Sequence, residues 1–122
     1  MTTECVPEQD FRVRSLGGVP VVTPPLEVDI GNAESFGAVL AAAGRDQAIL
    51  VVDMTATEFC DSSGIGALAV AMSRCRAAGG ELRLVVGSPA VRKVLAITGM
   101  DSICMMFDRL PEAIAAGRPP AP

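Results

Sequence analysis

The chain has 122 residues, half of them hydrophobic, a formal net charge of -4, and no histidine, tryptophan or tyrosine. One domain of this length buries roughly two-thirds of the surface its unfolded form exposes, so its core needs no staple. Without histidine, Ser-His-Asp and Cys-His catalysis are excluded, and ten basic against fourteen acidic residues with only four phenylalanines exclude a basic, base-stacking nucleic-acid face.

Residues 1–10 are acidic and polar and read as a flexible lead-in with no signal-peptide pattern, which places the chain in the cytoplasm. No apolar run approaches the ~20 residues that a membrane span requires. Residues 11–16 and 19–22 form strands around Gly17-Gly18, a hairpin turn because glycine accepts positive φ cheaply. Pro24-Pro25 then forces an edge or a bend. After Glu27-Val28-Asp29-Ile30 the period changes: Phe36, Val39, Leu40 and Ala43 recur at helical spacing and Gly44 stops the helix.

Residues 48–52 are continuously apolar and suit a strand covered on both faces. A connection over 54–60 leads to a helix over 62–78 with Gly79-Gly80 as its stop. Residues 82–86 give another strand. Ser88 caps the next helix and Pro89 opens it, where a missing N–H is harmless. That helix buries Val91, Val94 and Leu95 and ends at Gly99. A last strand over 103–106 and a short helix from Asp108 carrying Leu110, Ala113 and Ile114 precede a Pro-rich, disordered tail at 117–122. Strands alternating with helices in this order demand a mostly parallel sheet with crossover helices.

The chemistry concentrates in Phe59-Cys60-Asp61-Ser62-Ser63-Gly64-Ile65-Gly66. Asp61 stands where an N-cap belongs, and the local reading is a capped helix with two serines in its exposed first turn. Gly64-Ile65-Gly66-Ala67-Leu68-Ala69 matches the letters of a dinucleotide motif, but it does not follow a strand directly and no acidic residue ends the next one. A nucleophilic Ser62 or Ser63 lacks a base, since Lys93 is the only lysine. Asp29, Asp53 and Asp61 are a conceivable metal trio without ligand spacing. A serine that accepts a phosphoryl group from another protein needs neither base nor metal in this chain. A helix N-terminus stabilises the added anion, and about two negative charges change the surface while the fold persists.

Val51-Val52-Asp53, Asp61-Ser62-Ser63-Gly64-Ile65-Gly66 and Ala77-Ala78-Gly79-Gly80 resemble, in order and spacing, the STAS domain of bacterial anti-sigma factor antagonists. So do Ser88-Pro89-Ala90-Val91-Arg92-Lys93-Val94-Leu95, Thr98-Gly99-Met100-Asp101 and Phe107-Asp108, so that the likeness runs from about Pro20 to Ala116. The resemblance implies an α/β STAS-like domain over 11–116: a mostly parallel four- to five-stranded sheet, an N-terminal hairpin, and about four helices packed mainly on one face. It implies a non-enzymatic partner switch without cofactor or metal. The unphosphorylated form binds an anti-sigma factor, itself a serine kinase of the histidine-kinase-like (GHKL) ATPase type, and so frees a sigma factor for transcription. Phosphorylation of the first serine, here Ser62, releases the kinase, and a PP2C-type phosphatase restores binding. Asp29, Asp61, Ser63, Gly64, Ile65 and Gly66 are then the partner-binding set, with the glycines allowing close backbone approach and Asp61 orienting the hydroxyl or the incoming nucleotide. No nucleic acid or membrane is implied as partner.

Two departures stand out. The family commonly has Ser-Gly before Glu-Leu-Asp, whereas Pro24-Pro25-Leu26 here precedes Glu27-Val28-Asp29 and rebuilds one rim of the docking face. Cys60 replaces an aliphatic residue. STAS domains also serve on sulfate transporters, as non-switching subunits of lipid-transport or stress-sensing complexes, and as nucleotide or small-molecule binders. A switch further requires at least one exposed apolar residue at the start of the 62–78 helix, for which Ile65 and Leu68 are candidates. Arg74 and Arg76 read as a solvated face, the methionines as core filling, and Cys5, Cys60, Cys75 and Cys104 as small hydrophobic filler.

Overall fold

The computed structural model describes residues 4–6 and 11–117, the side chains from Phe11 onward. The elements are β1 (Glu4–Val6), β2 (Phe11–Leu16), β3 (Val19–Thr23), β4 (Glu27–Val28), α1 (Ala33–Gly44), β5 (Ile49–Met54) and β6 (Phe59–Cys60). There follow α2 (Ser62–Ala77), β7 (Glu81–Val86), α3 (Pro89–Thr98), α4 (Met100–Ile103), β8 (Met105–Phe107) and α5 (Leu110–Ala115). Six strands form one sheet in the order β1-β2-β3-β5-β7-β8, and β4 and β6 make a separate two-stranded pair. The hairpin turn is as the sequence reads: both glycines hold positive φ, 58° and 79°, and β2 and β3 pair antiparallel from Leu16 opposite Val19. From β3 across to β8 every pairing is parallel, because a helix intervenes at each crossover.

Side-chain alternation along the central strands builds two cores. Leu50, Val52 and Met54 of β5 and Leu82, Leu84 and Val86 of β7 face α1, α2, α3 and α4. Ile49, Val51 and Val85 face the other way, against Ala113, Leu110 and Ile114 of α5. The expected run of buried residues on β5 is thus explained by cover on both faces, since all six are buried. A parallel Phe11–Phe36 ring stack, with centroids 5.4 Å apart, ties the hairpin to α1.

Three segments differ from the sequence expectation. Residues 4–6, expected within the lead-in, form β1 and pair antiparallel with β2, which makes six strands where four or five were expected. Residues 100–103 continue as a one-turn helix after Gly99, so the last strand begins at Met105 rather than at Ile103. The final helix starts at Leu110, two residues after Asp108, with Pro111 in its first turn. Of the tail expected over 117–122, only Gly117 lies among the described residues. Among the described residues no helix is long and apolar enough to cross a membrane.

Candidate functional site

The start of α2 is fixed by a side chain and by a neighbouring strand. Asp61 Oδ1 accepts from the N–H groups of Ser63 (2.9 Å) and Gly64 (3.2 Å), the N-cap geometry that satisfies two otherwise orphaned donors. The Asp61 N–H donates to the Val28 carbonyl at 3.1 Å, continuing the parallel register Glu27–Phe59 and Val28–Cys60. Asp29 and Asp61 therefore follow paired residues on adjacent strands, and the structure brings them to one edge. Buried Thr57 holds the approach, its hydroxyl donating to the Pro25 carbonyl at 3.0 Å. Asp29 is held by its own turn: Oδ1 accepts from the Gly31 N–H (2.9 Å), and its N–H donates to Asn32 Oδ1 (2.9 Å). The bend expected at Pro24-Pro25 is what detaches β4 from the main sheet and carries it to β6.

The expected site residues divide into two groups. Ser62 is exposed in the first turn, Ser63 and Asp61 are half-buried, and Gly66 is exposed. Ile65, only 7% exposed, and Leu68 face the core instead of a partner, because the stripe they share with Met72 covers the sheet. The apolar exposure expected on the helix lies beside it, at Leu26, Ile30 and Phe59. Gly64 is buried too, and a Cβ there would meet Cys60 Sγ at 2.6 Å and Val28 Cγ1 at 2.8 Å. Its small size serves packing within the chain. Asp53 does not join Asp29 and Asp61: its carboxylate accepts from Thr55 and faces Arg14 at 3.6 Å. No three His, Cys, Asp or Glu side chains among the described residues are placed to hold a metal.

Residues 10–113 match the family described as STAS domain. The chain belongs to the STAS domain family. An anti-sigma factor antagonist from Mycobacterium paratuberculosis has a TM-score of 0.79 to this STAS domain at 27% identity, covering 91% of this chain and 96% of that one. The phosphorylated form of the Bacillus cell fate determinant SpoIIAA gives 0.67 at 25% identity, covering 85% and 96%. The murine anion transporter Slc26a9 gives 0.67 at 28% identity, covering 83% of this chain but 18% of that one. No curated protein sequence matches the chain.

Beside Ser63 the STAS domain carries a groove of about 420 Å³ between α1 and α2, lined among others by Gly37, Gly66, Ala67, Val70 and Arg74. Beneath the site sits Cys60, whose thiol is pushed up to about 11, first by burial and then by the Asp61 carboxylate. Burial raises Cys75 as well, and burial carries Cys104 to about 11 against the opposing pull of Arg76. These three thiols stay protonated and enclosed at neutral pH, so native protein at pH 8 is expected to resist iodoacetamide at Cys60, Cys75 and Cys104 until denaturant is added. Peptide mass mapping checks this site by site; rapid alkylation of the native protein would contradict the packing. The unfolded chain releases the Cys60 and Cys104 protons near the ordinary value of 9.0, while the folded state holds them to about 11. Stability is therefore untouched by these groups below about pH 9 and falls as pH rises from there to about 11, which alkaline melting curves read.

Sequence reasoning missed Leu26, Ile30 and Phe59 as surface residues. The available signal was an aromatic between Glu58 and Cys60 in a segment otherwise read as a connection.

Proposed function

We propose that the chain is an anti-sigma factor antagonist in which Ser62 is the phosphoacceptor. The observation that carries this reading is the exposed Ser62 at the first turn of a capped helix, beside Asp29 and Asp61, on a STAS domain. The kinship with an anti-sigma factor antagonist at 27% identity, and with a relative solved in phosphorylated form at 25%, supports it. In this reading the unphosphorylated surface binds a GHKL-type anti-sigma factor kinase and a sigma factor is released to RNA polymerase. The kinase transfers the γ-phosphoryl of ATP to Ser62 Oγ, the hydroxyl proton leaves, and ADP departs. A PP2C-type phosphatase hydrolyses the ester and resets the surface. Asp61 is engaged through Oδ1 in capping, so its contribution is to hold the Ser62 backbone still. The domain performs no chemistry itself.

The test uses purified anti-sigma factor kinases of the source genome with Mg-ATP. Wild type is expected to gain the mass of one phosphate, Ser63→Ala to gain it as well, and Ser62→Ala to gain none. Ser62→Asp is expected to weaken kinase binding about 10-fold or more. Its melting temperature stays within about 3 °C of wild type, since an acid in the first turn favours the helix dipole. Equal binding by Ser62→Asp and Ser62→Ala would overturn the switch and assign a subunit that binds without switching.

A further inference from the structure

Three large apolar side chains stand out of the segments flanking Ser62: Leu26 is 57% exposed, Ile30 83% and Phe59 49%. The β4–β6 pairing holds two of them together, with Phe59 in register with Glu27 and the Leu26 carbonyl accepting from the N–H groups of Glu58 (2.8 Å) and Phe59 (3.2 Å). Ile30 follows Asp29 as Ser62 follows Asp61. Single exposed apolar residues are ordinary, but Leu26 and Phe59 are held side by side where β4 and β6 begin, and Ile30 stands out of the turn that follows β4.

The charge around that patch has one sign. Residues 15–44 and 46–73 contain neither lysine nor arginine, so the segments that build the face supply carboxylates alone. Glu27, Glu34 and Glu58 are exposed, and Asp29 and Asp61 are half-buried. Across the shallow depression beside Leu26, the start of α3 adds uncharged Gly87, Ser88 and Pro89. Arg92, which also donates to the Val86 carbonyl at 3.2 Å, is neutralised by Asp108 at 2.7 Å.

An acidic ring about an apolar centre selects against most occupants. A second copy would set carboxylate against carboxylate, and an anionic bilayer or a nucleic acid would be repelled in the same way. We infer that this surface docks a protein partner presenting an apolar pocket ringed by arginine or lysine, with Phe59 and Leu26 as the inserted anchor. The inference rests on the partner-switch reading and names the chemistry of the partner that it leaves open. It also changes how phosphorylation would act. More negative charge on Ser62 does not repel the cationic rim, so release, in Ser62→Asp and in the phosphoprotein alike, comes from the cost of stripping water from a charge in a close-packed contact, to which the phosphate adds its bulk.

The experiment measures binding to the purified kinase that phosphorylates Ser62, by surface plasmon resonance at low and high salt. Phe59→Ala is expected to weaken binding about 30-fold or more, the scale of a buried aromatic anchor. The pair Glu27→Lys and Glu58→Lys is expected to slow association about 10-fold at low salt and to flatten its salt dependence. The mutated side chains are exposed, so melting temperatures within a few degrees of wild type verify the fold. High salt is expected not to restore binding of the phosphorylated protein; restoration would overturn this account of release. Wild-type binding with unaltered affinity and salt dependence in all these variants would overturn the docking face while leaving the Ser62 switch standing. Concentration-dependent dimers that Phe59→Ala abolishes in sedimentation would overturn it in favour of a second copy. Failure of wild type to bind any kinase would overturn the switch reading itself, and is recognised without the variants.

Discussion

Replacing Arg83 by methionine is expected to destabilise the domain by about 3–5 kcal/mol, the scale on which one partner of a buried ionic network is lost. Arg83 is fully buried on β7, on the face that α5 covers. Its Nε donates to Glu81, Nη1 to the carbonyls of Ala113 (2.7 Å) and Ala116 (3.1 Å), and Nη2 to that of Gly117 (2.6 Å). Its guanidinium carbon lies 5.9 Å from the Phe107 ring centroid. The last carbonyls of a helix have no intrahelical partner, so this one side chain closes the end of α5 and fastens it to the sheet. Methionine keeps the stem's volume and leaves those carbonyls and Glu81 without their donor. The melting temperature is expected to fall by about 10 °C or more, and α5 to become the first site of limited proteolysis. Arg83→Lys is expected to recover only part of the loss, because a single ammonium cannot fork to four acceptors. A fall below about 3 °C in Arg83→Met would mean that α5 is held by the contacts of Ala113 and Ile114 alone.

Arg83 also shows where sequence reading stops. Glu81-Leu82-Arg83-Leu84-Val85-Val86 is legible as a strand, and Glu81 two residues away supplies the counter-charge, but the carbonyls that complete the arginine's hydrogen bonds lie thirty or more residues on, at the end of a helix whose docking no local pattern specifies. Elements that carry their own punctuation were legible: the Gly17-Gly18 turn, the Asp61 cap, and Ser88, which accepts from the Val91 N–H at 3.4 Å. Two-residue β4 and β6 have no period to read, and they exist only because each finds the other. That pairing is what brings Asp29 to Asp61. The rotation of α2 was unreadable for a different reason. Ile65, Leu68, Val70, Ala71 and Met72 place apolar side chains around much of the helix, so only packing decides that Ile65 and Leu68 turn inward and Val70 outward. The exposure of Ser62 was legible because it follows from the cap. The shape of the surface around it was not, because it depends on that rotation and on the strand pair beside it.

The two glycines of the motif are expected to respond in opposite directions to the same substitution. Gly64→Ala would place a methyl 2.6 Å from Cys60 Sγ and 2.8 Å from Val28 Cγ1. A short thiol and a β-branched valine have no far end to swing aside, so the backbone must shift. Overpacking of this kind costs about 1–3 kcal/mol, against which alanine's better helix propensity returns up to about 1 kcal/mol. The displaced groups belong to β4 and β6, the strands that position Asp61 and Ser62, so phosphorylation is expected to slow about 10-fold alongside a lower melting temperature. At Gly66 a Cβ meets nothing within 4 Å. Gly66→Ala is therefore expected to stabilise α2 by about 0.5–1 kcal/mol. Nothing within 4 Å of a Cβ there requires a glycine, and exposed Gly66 lines the same groove as Ser63. If the kinase packs against that backbone, the more stable Gly66→Ala protein binds it less well, a combination that damage to the fold does not produce. Thermal melts and kinase titrations of the two variants read both quantities. Undiminished stability in Gly64→Ala would remove the packing argument, and undiminished binding in Gly66→Ala would place the partner off this turn of the helix, leaving Phe59, Leu26 and the acidic rim to carry the contact.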